Sequence, residues 1–385
     1  MSFEFFFEAL GKGQLEKYTA LEGLASKINI YGNQLPEWKE ADIALLGVME
    51  YRGASYQAPN KDSLSLLRKE FYRLKPFTKE CKIVDLGNLR LGPTLEESYL
   101  RLKEVCEILL SHNTLPVILG GSHDLDYAQF RGYESLDKII SVVTVDSKVD
   151  LDVNAKTKTG NHTTDILMHQ PNYLFDYNHL AYQRYLNPIE VLNTLEKLNF
   201  DMTSVGQIHG NLEEIEPIIR SGDMLSFDLS AIKASDAPGN AQAFAFGLTS
   251  EEACQICWYA GLNEKLTSLG IYEYNADLDP QHHTAQTVAV MLWYFIEGFG
   301  HRQIEYSFKS NFHVKYIVHL GDTGQDLVFY KSKSTEKWWM EVGLKHTSGE
   351  VQRNIIIPCS YKDYELANKG ILPERWLKAV GKLGE

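Results

Sequence analysis

Apolar positions in the first three hundred residues are grouped into short unbroken runs separated by longer stretches of helical periodicity. The runs are IALLGV (Ile43 to Val48), KIVDLG (Lys82 to Gly87), LPVILGG (Leu115 to Gly121), IISVVTVD (Ile139 to Asp146), MTSVGQI (Met202 to Ile208), DMLSFDL (Asp223 to Leu229) and LTSLGIYEYN (Leu266 to Asn275). Each is rich in Val, Ile, Leu or aromatic residues and too short for a buried helix, so each predicts a strand. The stretches TLEESYLRLKEVCEILLSHN, LNPIEVLNTLEKLN and TAQTVAVMLWYFIEGFG carry a helical period. Strands alternating with helices predict βαβ units and a mainly parallel sheet. The first forty residues read as helix and loop.

The pattern changes near His301. FHVKYIVHL and QDLVFYKSK read as two strands joined by a turn at GDTG, and KWWMEVGL and RNIIIPCS as two more. YKDYELANKG and PERWLKAVGKL read as closing helices. The expected organisation is an α/β domain over residues 1–303 and a small C-terminal α+β appendage over residues 304–385.

Composition narrows the class. A formal net charge of -13 argues against a nucleic-acid or anionic membrane surface as partner. TVAVMLWYFIEGFG, the most apolar late segment, is too short to span a bilayer and contains Glu297. The opening MSFEFFFEAL is apolar but acidic and lacks the basic start and small-residue cleavage site of a signal peptide. The five cysteines are an odd set suited to a reducing compartment. The expected location is therefore cytoplasmic. Cys254 and Cys257 form a C-x-x-C, but inside the helical run SEEACQICWYAGL and with no second pair to complete a zinc site, so they read as core thiols.

Polar residues collect where the runs end. PVILGG leads to His123, SVVTV to Asp146 and then Asp150, MLSF to Asp228, and SLGIY to Glu273. Acids after strands are often helix caps. In an open parallel sheet, however, functional groups gather at the carboxyl ends of the strands. Three aspartates and one imidazole are a sensible set for a hard or borderline divalent ion, and such crowded carboxylates call for a cation.

The segments GGSHDLDYAQF, VDSKVD and LSFDLSAIKASDAPG, with ALLGVMEYRGA, IVDLGNL, FGLTSEEA and GIYEYNADLD in the same order, resemble the motifs of the ureohydrolase superfamily. This superfamily includes arginase, agmatinase and formimidoylglutamase, and the resemblance points to bacterial formimidoylglutamase-like members. It covers about residues 40 to 300 and implies a three-layer α/β/α sandwich, with the appendage outside the common pattern. Members of the family hold two Mn²⁺ ions about 3.5 Å apart and use the hydroxide between them to cleave a linear amidine or guanidine C–N bond. Many form trimers or hexamers, which implies a homo-oligomer unless the appendage displaces those contacts.

Carried across residue by residue, the resemblance implies one intact half of that centre. His123, Asp146, Asp150 and Asp228 keep the first-ion ligands. The two ligands private to the second ion are lost, because Lys148 replaces a histidine and Ser230 replaces an aspartate. A protonated lysine cannot bind a metal. One reading places the Lys148 ammonium between Asp146 and Asp228 in the vacated site; the other leaves it at the surface. By the same resemblance, His162 in TGNHTT is the candidate acid–base group, Glu273 the acid that holds the substrate's amidine or guanidine nitrogens, and Asn154 and Thr159 the residues at its amino-acid end.

Two functions stay open at this level. One is a hydrolase of linear amidines or guanidines, formimidoylglutamate among them, working with one Mn²⁺ or Zn²⁺ and with Lys148 as an electrostatic helper. The other is a non-catalytic binding or scaffold protein in which Lys148 replaces the second metal.

Overall fold

A computed structural model describes residues 2–305, 308, 311–320, 325–345 and 351–383. Ten strands form the main sheet: β1 (Phe7–Glu8), β2 (Ile28–Ile30), β3 (Ile43–Gly47), β4 (Ile83–Leu89), β5 (Leu115–Leu119), β6 (Ile140–Val145), β7 (Leu174–Tyr182), β8 (Asp201–Ser204), β9 (Met224–Asp228) and β10 (Ser268–Tyr272). The spatial order is β1-β4-β3-β5-β10-β9-β6-β7-β8, with β2 also on β4. All pairings are parallel except β1 with β4.

The helices between them are α1 (Lys12–Thr19), α2 (Ser63–Tyr72), α3 (Leu95–Ser111), α4 (Leu125–Arg131), α5 (His162–Leu167), α6 (Ile189–Lys197), α7 (Val205–Ile208), α8 (Glu216–Ser221), α9 (Ser250–Leu262) and α10 (His283–Gly300). Because strand side chains alternate between faces, Val143 and Val145 of β6 join one apolar layer with α2, α9 and α10. Val142 of the same strand joins the opposite layer with α3, α4 and α6. The result is the expected three-layer sandwich, its central strands apolar on both faces as buried parallel strands require.

Three elements differ from the sequence reading. The first forty residues contribute β1 and β2 to the edge of β4. Met202 to Ile208 is strand only to Ser204; there the Gln207 side chain accepts from the Ser204 N–H at 2.8 Å and the chain turns into α7. β7 reads as polar in sequence because of Asp176, Asn178 and His179, yet it lies buried between β6 and β8. Its polar groups have protein partners: His179 Nε2 lies 3.1 Å from the Asp146 carbonyl and Asp176 pairs with Lys382.

Beyond the main sheet, β11 (His313–Leu320), β12 (Gln325–Ser332), β13 (Trp338–Lys345) and β14 (Val351–Cys359) form a separate antiparallel sheet in that order. The turn expected at GDTG lies outside the described residues. Two helices follow, α11 (Tyr361–Asn368) and α12 (Glu374–Leu383). This small sheet has its own apolar cluster, in which Phe329, Trp338, Met340 and Val342 pack with Ala367 and Trp376 of the two helices.

A buried candidate metal centre

β5, β10, β9 and β6 are neighbours in the middle of the sheet and run parallel, so their carboxyl ends share one rim. His123 follows β5 through Gly120 and Gly121, both at positive φ (86° and 79°), where a side chain would be strained. Asp146 follows β6, Asp228 ends β9 and Glu273 follows β10. The structure thus brings together the four strand-end groups, and all of them are buried.

His123 Nδ1 lies 3.2 Å from Asp146 Oδ2 and 3.1 Å from Asp228 Oδ2. Its alignment satisfies a hydrogen bond to neither, and the atom is buried. Its other nitrogen, Nε2, is 2.9 Å from the Ser226 hydroxyl. With the proton on Nε2, the Nδ1 lone pair and two carboxylate oxygens converge on one point, a donor set that suits a divalent ion. A second group shares the same imidazole: donor atoms of His123, Asp150 and His162 lie within 4.8 Å of one another.

The opposite oxygens of the same two acids face protein donors. Asp146 Oδ1 accepts from the Ser230 hydroxyl at 2.7 Å and from the Lys148 N–H at 3.1 Å. Asp228 Oδ1 accepts from the Ser230 N–H at 2.6 Å and from Asn240 Nδ2 at 3.4 Å. The Ser147 and Ser230 hydroxyls meet at 2.9 Å. Hydrogen bonds therefore fill the side where the resemblance places a second ion.

Lys148 is not the internal cation that one sequence reading required. Its Nζ donates to Gln242 Oε1 at 2.6 Å, and it forms no ion pair with Asp146 or Asp228 among the described residues. The group beside both acids is the His123 imidazole. The side chain of Lys148 is half-buried, and the main-chain N–H of the same residue serves Asp146 instead.

His162 is buried at the start of α5. Its Nδ1 lies 2.7 Å from Asp126 Oδ1 and its Nε2 3.2 Å from Asp150 Oδ2. Glu273 accepts from the His123 N–H at 2.8 Å and from the Tyr56 hydroxyl. Its φ of 74° puts a non-glycine residue in the left-handed region, a conformation that costs energy and concentrates at functional positions. The other two sequence candidates are not drawn into the cluster. Asn154 is exposed and its N–H turns back to Asp152, while Thr159 is buried with its N–H on the Gly53 carbonyl.

The electrostatics follow from burial and crowding. Burial, then the Asp146 charge, holds Asp150 at about 6 despite the neighbouring His162. Burial and Asp228 push Glu273 to about 8. Burial would lower His123, but contacts with Asp146 and Asp228 outweigh it and raise the imidazole well above its ordinary value. Burial likewise opposes the charged form of His162, and Asp126 overcomes it, giving about 10. Burial raises Asp150, Asp228 and Glu273, while the His123 contact holds Asp146 below the usual carboxylate range despite its burial; crowding of this kind is what a bound cation would relieve.

Sequence reasoning missed Asp126, Ser226, Tyr56 and Gln242. Asp126 alone carried a signal, lying three residues past His123 at the start of a helix, where i and i+3 share a face. The others come from separate segments and become visible only once the sheet order is known.

The comparisons with known proteins agree with this geometry. Residues 41–297 match the arginase family model. A formimidoylglutamase from Lysinibacillus sphaericus is 26% identical over 230 residues, covering 56% of this chain and 71% of the relative. One from Macrococcus caseolyticus is 25% identical over 269 residues, covering 66% and 84%. In fold, the chain resembles formimidoylglutamase of Bacillus subtilis (TM-score 0.65, 17% identity, 73% and 93% covered) and Trypanosoma cruzi formiminoglutamase with Mn²⁺ (TM-score 0.64, 20% identity, 69% and 96% covered). With the family model spanning well over half of its length and the strand-end groups where that fold gathers them, the chain belongs to the arginase family.

Proposed function

We propose that the chain is a metal-dependent hydrolase of a linear amidine or guanidine C–N bond, with formimidoylglutamate the first substrate to test, and that it works with a single divalent ion, Mn²⁺ foremost and Zn²⁺ as the alternative. The observation that carries this reading is the division of labour within two carboxylates. Oδ2 of Asp146 and Oδ2 of Asp228 turn to a buried imidazole nitrogen that has no hydrogen bond of its own. Their Oδ1 atoms are taken up by Ser230, Lys148 N–H and Asn240. His123, Asp146, Asp150 and Asp228 would hold the ion.

When bound, such an ion makes hydroxide available near neutral pH. Glu273 would hold the amidinium nitrogens of the substrate. Its carboxylate is fixed by the His123 N–H and the Tyr56 hydroxyl, so its position is coupled to that of His123. Burial excludes water from the carboxylates and strengthens every charge interaction among them. Lys148, tied to Gln242, keeps a positive charge near this rim without occupying it.

Metal analysis of the purified chain after dialysis against Mn²⁺ tests the reading. About one ion per chain is expected, together with hydrolysis of formimidoylglutamate in preference to arginine or agmatine; a folded protein that retains no ion refutes it. Restoring both second-ion ligands, Lys148→His with Ser230→Asp, is expected to move the stoichiometry towards two. Unchanged metal content in that folded double variant would show that the second half of the centre lies elsewhere.

A further inference from the structure

We infer that His162 is itself a ligand to the ion, joining His123 and Asp150 in the second of the two donor groups that share the His123 imidazole. This rests on the one-ion reading above. The histidine missing at position 148 is then replaced from a different element, the first turn of α5.

His162 Nδ1 lies 2.7 Å from Asp126 Oδ1. Asp126 is wholly buried, and an ionised carboxylate only accepts, so the ring proton is held on Nδ1. The Nε2 lone pair is thereby directed at Asp150 Oδ2, 3.2 Å away. A lone pair facing a carboxylate oxygen at that distance is repulsive unless a proton or a metal ion lies between them. The His123 ring lies beside it, centroids 4.4 Å apart, and the donor atoms of His123, Asp150 and His162 fall within 4.8 Å of one another.

Asp126 orients the His162 ring directly and reaches the His123 ring through Ser226, whose hydroxyl lies 2.9 Å from His123 Nε2. Its Oδ2 accepts from the Ser226 hydroxyl at 3.2 Å and lies 3.6 Å from His123 Nε2, while its Oδ1 holds His162. A buried carboxylate behind a ligating imidazole fixes its tautomer and raises its basicity, and removing such a group typically costs about 10–100-fold in metal affinity. Here one carboxylate stands behind two imidazoles. A second nitrogen donor also moves the site's preference away from Mn²⁺ and towards Co²⁺ and Zn²⁺, which favour imidazole more strongly.

The test uses the full chain titrated with Co²⁺, read by visible absorption and by equilibrium dialysis. The wild type is expected to bind one ion. His162→Gln is expected to bind at least about 10-fold more weakly with a changed absorption spectrum, and Asp126→Asn to lose about 10–100-fold in affinity. If His162→Gln keeps the spectrum and binds within about twofold of the wild type while His123→Asn abolishes binding, the one-ion reading stands and His162 is not a ligand. If the wild type binds no Co²⁺ or Mn²⁺, both fall. X-ray absorption of the Co²⁺-loaded wild type decides the matter even where a variant fails to fold: two imidazoles in the coordination sphere are expected, and one overturns the proposal.

Discussion

At the scale of single residues, the centre depends on backbone as much as on ligands. Gly121 has φ 79° and its carbonyl accepts from the Glu273 N–H at 2.9 Å, tying the end of β5 to the residue proposed to hold substrate. A β-carbon at Gly121 would lie 2.2 Å from Leu125 Cδ1 and 3.0 Å from the Glu50 carbonyl. The leucine end can swing away; the carbonyl cannot. Gly121→Ala is therefore expected to cost about 1–3 kcal/mol, from the left-handed conformation plus the close approach, and to weaken ion binding by displacing His123 two residues on. Gly206→Ala, at a helical position with nothing within 4 Å of its β-carbon, is the control and is expected to be neutral or slightly stabilising. Equal effects of the two in denaturation and metal titration would refute the argument. The clustering of His123, Asp146, Asp228 and Glu273 was legible in sequence because each stands at the end of a strong apolar run. The direction of Lys148 was not, since Gln242 reaches it from ninety-four residues away and no local pattern announces that contact.

At the scale of elements, legibility followed the strength of the apolar period. The central strands and all four strands of the small sheet stand where their Val, Ile and aromatic runs predicted. β7 was hidden because its polar residues are satisfied by long-range partners, one of them on α12. That helix presents Lys378 and Lys382, one turn apart, to Asp201 on β8 at 2.6 Å and Asp176 on β7 at 2.5 Å. Both strands lie at one end of the main sheet, with β8 its last strand, so two ion pairs bind the small sheet's helix to an otherwise unpaired edge. Lys382→Met would leave Asp176 nearly buried without its cation. The expected loss is about 1–3 kcal/mol, between the values for exposed and fully buried pairs. Hydrogen exchange should show faster opening of β7 and β8 amides, and adding Asp176→Asn should recover most of the loss. Protection unchanged in Lys382→Met would mean that the docking is apolar in origin.

At the scale of the molecule, two apolar cores of the main body flank one sheet, while the third core closes within residues 318–376. Several polar contacts cross the joint between them. Beside the two lysine pairs, Arg220 of α8 donates to the Trp338 carbonyl at 2.9 Å and lies 4.4 Å from the Trp339 ring, and Arg375 donates to the Glu214 carbonyl at 2.8 Å. A cavity of about 330 Å³ lies along this joint, bordered by Phe175, Ile218 and Trp339. The buried cores of the two units stay separate across it, and cooperativity between units falls when they share no common core. The proposed metal ligands, by contrast, all belong to the main body. Calorimetry is thus expected to show two transitions, of which only the larger moves with Mn²⁺. A ligand at 100 times its dissociation constant adds about 2.7 kcal/mol to the unit that binds it, which corresponds to a rise of roughly 3–5 °C for a body of this size. A single transition that shifts as a whole would show that the appendage and the sheet fold as one, and would make the C-terminal residues part of what holds the metal centre in shape.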